Sequence, residues 1–163
     1  MSAEQPQQLP DTSAISFPDP GNQGEWFTYL VRVFPHHTDY YGVVWHGTYL
    51  TWMEEARVEY LRSVGVPYED LVALGCDLLV VELSVRYHRA LRLGAEAILK
   101  TRIFQTNGVR LCSDYLLESN DGKELYLSAT TVLVPIDSDR GKIMRKLPPT
   151  VKDALAKITK FTA

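Results

Sequence analysis

One short segment of the chain combines an acidic residue, a histidine and two glycines, and it spans residues 38–49 (TDYYGVVWHGTY). Asp39 lies seven residues before His46, which Gly47 follows, close to where a helical pattern begins. A helix start offers unpaired backbone N–H groups and a partial positive charge, and such donors can bind a developing oxyanion. The segment therefore fits two interpretations. It could be a site that sets a carboxylate beside oxyanion donors, or a turn that Asp39 caps and Gly47 bends.

The patterns on either side of this segment predict the elements that must position it. Before it, Phe27, Tyr29, Val31 and Val33 alternate with other residues, which indicates a strand. After it, apolar residues recur at helical spacing, which predicts the longest helix of the chain: Tyr49, Trp52, Met53, Ala56, Tyr60 and Val64. Gly42 and Gly47 would allow unusual dihedral angles in the intervening loop, or the close approach of another group.

The rest of the chain is mostly strand-like. Residues 68–74 predict a short helix, residues 77–88, 95–106, 109–118 and 124–134 predict four strands, and residues 150–159 predict an amphipathic C-terminal helix. Asn107-Gly108 is a strong hairpin signal, and Pro135 is expected to end the last strand. The order of one strand, one long helix and then four strands indicates an α+β fold, in which a sheet covers the apolar face of the helix.

Length and composition limit the classes of protein that this chain can represent. At 163 residues, one domain over residues 25–163 is expected, with a disordered or loosely packed tail over residues 1–24. A net charge of −3 gives no general footprint for nucleic acid, and no apolar run approaches membrane-spanning length. Cys76 and Cys112 form no CxxC pair, and the first basic residue is Arg32. These features favour a reducing, cytoplasmic location without a secretory signal.

The histidines do not predict a metal site. His36 and His37 would point in opposite directions on an extended backbone, and no HExxH spacing is present. We therefore expect no metal ligand among the four histidines of the chain.

Residues 38–49 resemble the signature of the 4-hydroxybenzoyl-CoA thioesterase family, which has the hotdog fold. The matching positions are Asp39, Gly42, Val43-Val44, Trp45-His46 and Tyr49. Glu54, Ala56, Arg57 and Glu59 on the helix, and the basic turn at residues 89–94, are also similar to the family, so the resemblance covers residues 27 to 135. The chain departs from many relatives by having His37 in place of an aspartate and Pro35 in place of an aromatic residue.

The resemblance implies a hotdog domain, in which an antiparallel sheet of about five strands wraps around one long helix. It implies an acyl-CoA thioesterase without cofactor or metal, assembled as a homodimer or homotetramer with its active site at a subunit contact. Acyl carrier protein is an alternative carrier. Asp39 would be the nucleophile or the general base, and the backbone N–H groups of His46 and Gly47 would bind the oxyanion. The His46 side chain is a second catalytic candidate, and a structural role fits it equally well.

Other residues have two interpretations each. Val43, Val44, Trp45 and Tyr49 would shape the acyl pocket, or simply belong to the core. Glu54, Arg57 and Glu59 fit an exposed pair network or a subunit contact, with Glu54 a minor option as a second acid. The basic run would bind the phosphates of coenzyme A, or protect a solvated strand edge: Arg86, His88, Arg89 and Arg92.

Two further activities remain open at this stage. One is a hotdog hydratase or dehydratase, whose usual acid–histidine signature fits the spacing from Asp39 to His46 poorly. The other is a non-catalytic acyl-CoA-binding module, against which the intact Asp39 argues.

Overall fold

The architecture is one antiparallel sheet with a long helix on its concave face, as seen in a computed structural model that describes residues 26–159. Along the chain the strands are β1 (Phe27–Arg32), β2 (Cys76–Tyr87), β3 (Glu96–Gln105), β4 (Leu111–Glu118), β5 (Leu125–Asp137) and β6 (Lys142–Ile143). The helices are α1 (Thr48–Ser63), α2 (Tyr68–Ala73) and α3 (Pro149–Thr159), and a 3-10 turn spans Pro35–His37. The strand order is β1-β3-β4-β5-β2, with β6 paired to β5.

Helix α1 is held by one face of the sheet because its apolar residues recur every three to four positions. Tyr49, Trp52, Met53 and Ala56 are buried against alternate residues of the strands, and those strand residues are Ala97, Leu99, Tyr115, Leu117, Leu127 and Ala129. Successive strand residues point to opposite faces, so these positions line the single face that covers the helix. The predicted α+β class and the sheet around one long helix are confirmed.

A second buried cluster closes the other end of the domain. Leu61 from α1 and Leu71 from α2 meet Leu155 and Ile158 from α3 over the β3–β5 part of the sheet. This cluster shares no buried residue with the cluster around Tyr49 and Trp52. The N-terminal part of α1 is therefore packed in a different cluster from its C-terminal part.

The prediction that Pro135 ends the last strand is wrong, because β5 continues to Asp137. Pro135 pairs with Leu78 of β2, and its carbonyl accepts a hydrogen bond from the Met144 amide at 2.9 Å. The nitrogen and carbonyl of one strand residue point to the same side, so the missing N–H lies on the side of β6. Because the missing N–H would face β6 and not β2, the ladder between β5 and β2 loses no hydrogen bond at Pro135. Strand β6 itself has only two residues.

The outer strand β2 exposes apolar side chains at one edge of the sheet. Among residues 26–159, strand β2 pairs with β5 alone, and it presents a row of half-exposed apolar side chains: Leu79, Val80, Val81 and Leu83. A register shift between Val80 and Glu82 leaves Val81 outside the regular pairing.

The predicted tail over residues 1–24 lies outside the described residues, and the domain boundary at residue 25 stays a prediction.

Candidate active site

Asp39 forms a tight turn with one of its two carboxylate oxygens. Its Oδ1 accepts hydrogen bonds from the amides of Tyr41 at 2.9 Å and Val43 at 3.2 Å. Gly42, at the end of this turn, has a φ of +73°, a conformation that glycine adopts without strain. Oδ2 has no hydrogen-bond partner within residues 26–159. One oxygen therefore fixes the carboxylate, and the other is available for chemistry.

The start of α1 lies beside this turn. The Trp45 amide and the Thr48 hydroxyl both donate to the His37 carbonyl at 3.0 Å, which ties the helix start to the 3-10 turn. The N–H groups of His46 and Gly47 donate to no group in the described part of the chain. Two adjacent amides at a helix N-terminus are therefore unpaired, as an oxyanion site requires.

An aromatic ring lies close to Gly47 at the helix start. The φ of Gly47 is −77°, so the backbone itself would accept any residue. A Cβ atom at this position, however, would lie 2.0 Å from the ring of Trp45. Of the two roles predicted for the glycines, Gly42 provides the unusual dihedral angle and Gly47 the close approach.

Most of the predicted site residues line one open groove of about 350 Å³. Its lining comes from the segment before α1 and the first turn of that helix, and from the end of β2 with the residues that follow it. The complete lining is Asp39, Val43, Val44, Trp45, His46, Tyr49, Tyr87, His88, Arg89 and Ala90. Val44 and Tyr49 are buried and belong to the core, and their role in an acyl pocket stays a prediction. Burial raises the pKa of the Tyr49 phenol, which keeps the ring neutral.

The basic run is divided between different surfaces. His88 and Arg89 line the groove, whereas Arg86 and Arg92 do not. Arg86 is on the face of β2 opposite to Tyr87, and the backbone of Arg92 pairs with Val43. Arg89 forms an exposed salt bridge with Glu124 at 2.8 Å. Burial and the charge of Arg86 lower the pKa of His88, whose Nε2 lies 2.8 Å from the Ser128 hydroxyl.

The polar residues on the outer part of α1 are separate from the groove. Arg57 donates to the hydroxyl of Tyr115 at 2.8 Å, while Glu54 and Glu59 are exposed. Glu55 accepts a hydrogen bond from Tyr29, and burial together with this carboxylate raises the pKa of Tyr29 to about 12. None of these groups reaches the groove beside Asp39.

Tyr87 is a groove residue that the sequence patterns did not single out. It lies within the strand predicted over residues 77–88, and its hydroxyl donates to the His46 carbonyl at 2.8 Å. The signal that could have found it is its position next to the basic run, because the strand that delivers His88 and Arg89 must also bring Tyr87 to the site.

The histidines that were considered for a metal site have a different arrangement from the one expected. His36 and His37 lie in the 3-10 turn rather than on extended backbone, and their ring centroids are 4.0 Å apart. Residues 26–159 contain no group of three or more His, Cys, Asp or Glu side chains that could hold a metal ion. In the same range, no helix is both long enough and apolar enough to cross a membrane.

The decisive comparison is with a sequence profile of the thioesterase-like superfamily, which matches residues 33–157. The chain belongs to this superfamily. It is a thioester hydrolase with the hotdog fold, and the predicted family is confirmed. A protein of Synechocystis sp., provisionally described as an esterase, is 54% identical over 134 residues, which are 82% of this chain and 81% of the relative.

Two further comparisons concern relatives that carry a substrate in their names. The acyl-CoA thioesterase YbgC of Haemophilus influenzae is 33% identical to this chain over 109 residues, which are 66% of this chain and 78% of the relative. The crystal structure of a 1,4-dihydroxy-2-naphthoyl-CoA thioesterase from Synechocystis superimposes with a TM-score of 0.70 at 26% identity. That match covers 81% of this chain and 96% of the solved one.

Proposed function

We propose that the thioesterase hydrolyses acyl-CoA thioesters in the groove beside Asp39, releasing a free acid and coenzyme A. The observation that carries the proposal is that Asp39 and His46 line the same groove, and that the Oδ2 of Asp39 and the amide of His46 are both unpaired within the described residues. A carboxylate and oxyanion donors facing one cavity are the two groups that thioester hydrolysis needs. The names of the Haemophilus and Synechocystis thioesterases support coenzyme A as the carrier.

Asp39 acts on the thioester carbonyl by one of two balanced routes. As a nucleophile, Oδ2 attacks the carbonyl carbon, the C–S bond breaks, and coenzyme A leaves as thiolate. Water then hydrolyses the mixed anhydride. As a general base, Oδ2 removes a proton from water while the water oxygen attacks, and the same C–S bond breaks. In both routes the thiolate needs little protonation to leave.

The amides of His46 and Gly47 stabilise the negative oxygen of the tetrahedral intermediate. The helix that begins at Thr48 adds its partial positive charge at the same position. The His46 side chain is exposed and lines the groove, where it can orient water or hydrogen-bond the acyl group. It ranks second to Asp39 as a catalytic group.

The walls of the groove bind the two ends of the substrate. Val43, Val44, Trp45 and Tyr49 provide an apolar and aromatic wall for the acyl group. His88 and Arg89 also line the groove, where Arg89 can bind a phosphate of the nucleotide if the phosphate displaces Glu124. Arg86 and Arg92 lie on neighbouring surfaces and add positive potential rather than direct lining.

The active form is a homodimer or a homotetramer in the cytoplasm. The row of half-exposed apolar side chains on β2 supports pairing of two sheets along this edge, since exposed strand edges are normally protected or paired. Residues of the partner would then complete the site. The two unpaired cysteines, Cys76 and Cys112, support a reducing location.

A thiol-release screen over short, long and aromatic acyl-CoAs tests this function. We expect one free thiol per acid formed, with no gain or loss of a carbon–carbon double bond. Turnover of enoyl-CoA to hydroxyacyl-CoA without thiol release would instead indicate a hydratase. Tight binding of acyl-CoA without turnover would indicate a binding module. The same acyl groups on acyl carrier protein decide between the two carriers.

A further inference from the structure

Tyr87 contacts the backbone that carries one of the proposed oxyanion donors. Its hydroxyl donates to the carbonyl oxygen of His46 at 2.8 Å, across 41 residues of sequence. That carbonyl belongs to the same peptide unit as the amide of Gly47. A peptide unit is planar, and its C=O and N–H point in opposite directions. A hydrogen bond that fixes the His46 carbonyl therefore also fixes the direction of the Gly47 N–H.

The Tyr87 ring is held in place by aromatic side chains from the loop and the helix. Its centroid lies 5.4 Å from that of Tyr49, which in turn packs edge-on against Trp52 at 5.6 Å. Trp52 contacts the ring of His37 at 5.1 Å, and the His37 carbonyl holds the Trp45 amide and the Thr48 hydroxyl. A continuous set of packed rings thus connects β2 to the residues just before α1, and restrains the side chain that holds the His46 carbonyl.

The neighbouring donor has its own restraint, so the two peptides are not held in the same way. The Trp45 carbonyl, which shares a peptide unit with the His46 amide, accepts from the Thr48 amide at 2.9 Å. The first donor is therefore fixed by the helix itself. The 46–47 peptide, which carries the Gly47 amide, has no backbone restraint of this kind in the described residues. Its carbonyl accepts a hydrogen bond from the Tyr87 hydroxyl instead.

We infer that Tyr87 is a positioning residue, which holds the 46–47 peptide and so fixes the direction of the Gly47 amide, the second proposed oxyanion donor. The inference rests on the proposed function, because it assigns a role to one of its oxyanion donors. Tyr87 acts through the backbone and does not contact the reacting atoms. Its hydroxyl is engaged with the protein, so its effect falls on the transition state rather than on substrate binding.

Tyr87→Phe removes the hydroxyl and keeps the ring. We expect kcat to fall about threefold to tenfold, the range expected for one lost hydrogen bond, with KM nearly unchanged. A trifluoromethyl ketone analogue of acyl-CoA, whose hydrated carbonyl imitates the tetrahedral intermediate, should bind more weakly by the same factor. A thioether analogue without the carbonyl oxygen should bind as before. Tyr68→Phe is the matched control, because it removes a hydroxyl that bonds Asp77 at the far end of β2.

An equal loss of affinity for the thioether would show that Tyr87 contacts substrate directly, and would overturn the inference. A second measurement tests the positioning without any activity. Selective ¹⁵N-glycine labelling reports on the ten glycines of the chain, and Tyr87→Phe should shift the Gly47 amide resonance and accelerate its hydrogen exchange. An unchanged Gly47 amide overturns the positioning role. Failure of the wild-type protein to release thiol from any thioester would instead overturn the proposed function, and would leave the result for Gly47 standing.

Discussion

At the scale of single residues, the contact between Gly47 and the Trp45 ring gives the groove wall its position. A Cβ on residue 47 would overlap the ring, but Trp45 is 52% exposed and can swing outward. We therefore expect Gly47→Ala to fold, to lose about 1 kcal/mol of stability, and to show a raised KM because the wall has moved. In a Trp45→Ala background the same change should be nearly neutral in unfolding free energy. A double-mutant cycle measures this coupling, and simple additivity of the two changes would contradict it.

The salt bridge between Arg89 and Glu124 predicts how the nucleotide end of the substrate binds. Both side chains are exposed, so the pair contributes less than about 1 kcal/mol to stability. Glu124→Gln should free Arg89 and lower the KM for acyl-CoA, whereas Arg89→Ala should raise it. Both effects should be larger at low salt, where charges are screened less.

Two controls make this prediction specific. A truncated pantetheine thioester lacks the nucleotide phosphates, so neither variant should change its hydrolysis. Glu96→Gln removes the carboxylate of another exposed pair, with Arg32, and should leave the KM unchanged. Equal losses on the full and truncated substrates would place Arg89 in the fold or the chemistry instead.

The sequence could predict those parts of the site whose residues lie close together along the chain. The spacing of Asp39, His46 and Gly47 is local, so one strand, one turn and one helix start suffice to bring them together. Tyr87 bonds His46 at a separation of 41 residues, and Glu124 bonds Arg89 at a separation of 35 residues. Their contacts depend on strand register, which alternation alone does not determine.

At the scale of elements, α3 stabilises the domain without shaping the groove. Leu155 is buried in the cluster with Leu61 and Leu71, which shares no buried residue with the cluster around Tyr49. Leu155→Ala should therefore cost about 2–5 kcal/mol of unfolding free energy while kcat and KM stay near wild type below the melting temperature. Lys152→Ala on the exposed side of the same helix should change stability by less than about 0.5 kcal/mol. Urea unfolding with assays on the same preparations measures both, and a large loss of kcat in folded Leu155→Ala would contradict the separation.

Helices α1 and α3 and strands β2 to β5 were predictable because each has an apolar pattern that extends over eight or more residues. The elements that were missed or misjudged are short or depend on a neighbour. Strand β6 has two residues, too few for a pattern. Pro135 is accepted within β5 only because its ring nitrogen lies on the side of that short strand, which no local rule on proline could reveal.

At the scale of the whole molecule, the exposed β2 edge predicts how copies assemble. Val81 is 42% exposed and lies outside the regular pairing, so a charge there should not disturb the sheet within one chain. We expect light scattering to find a dimer or tetramer for the wild type. Val81→Glu should give a smaller species with reduced turnover, because a charge on a paired strand edge opposes association.

Leu30→Glu provides the matched control on the opposite edge strand. Leu30 is 75% exposed on β1, and its substitution should leave both the assembly and the turnover unchanged. A wild-type protein that is monomeric and fully active at assay concentration would rule out a site completed by a partner subunit.

The most direct test of the account is Asp39→Asn, with turnover and melting temperature measured on one preparation. The asparagine oxygen can still accept the amides of Tyr41 and Val43, so the turn and the melting temperature should be preserved. The substitution removes the charge that attacks the thioester or accepts the proton, so kcat should fall by about a hundredfold or more. Asp137→Asn is the matched control, because Asp137 Oδ1 accepts two backbone amides in the same way far from the groove. A folded Asp39→Asn protein that releases thiol at close to the wild-type rate would contradict the mechanism.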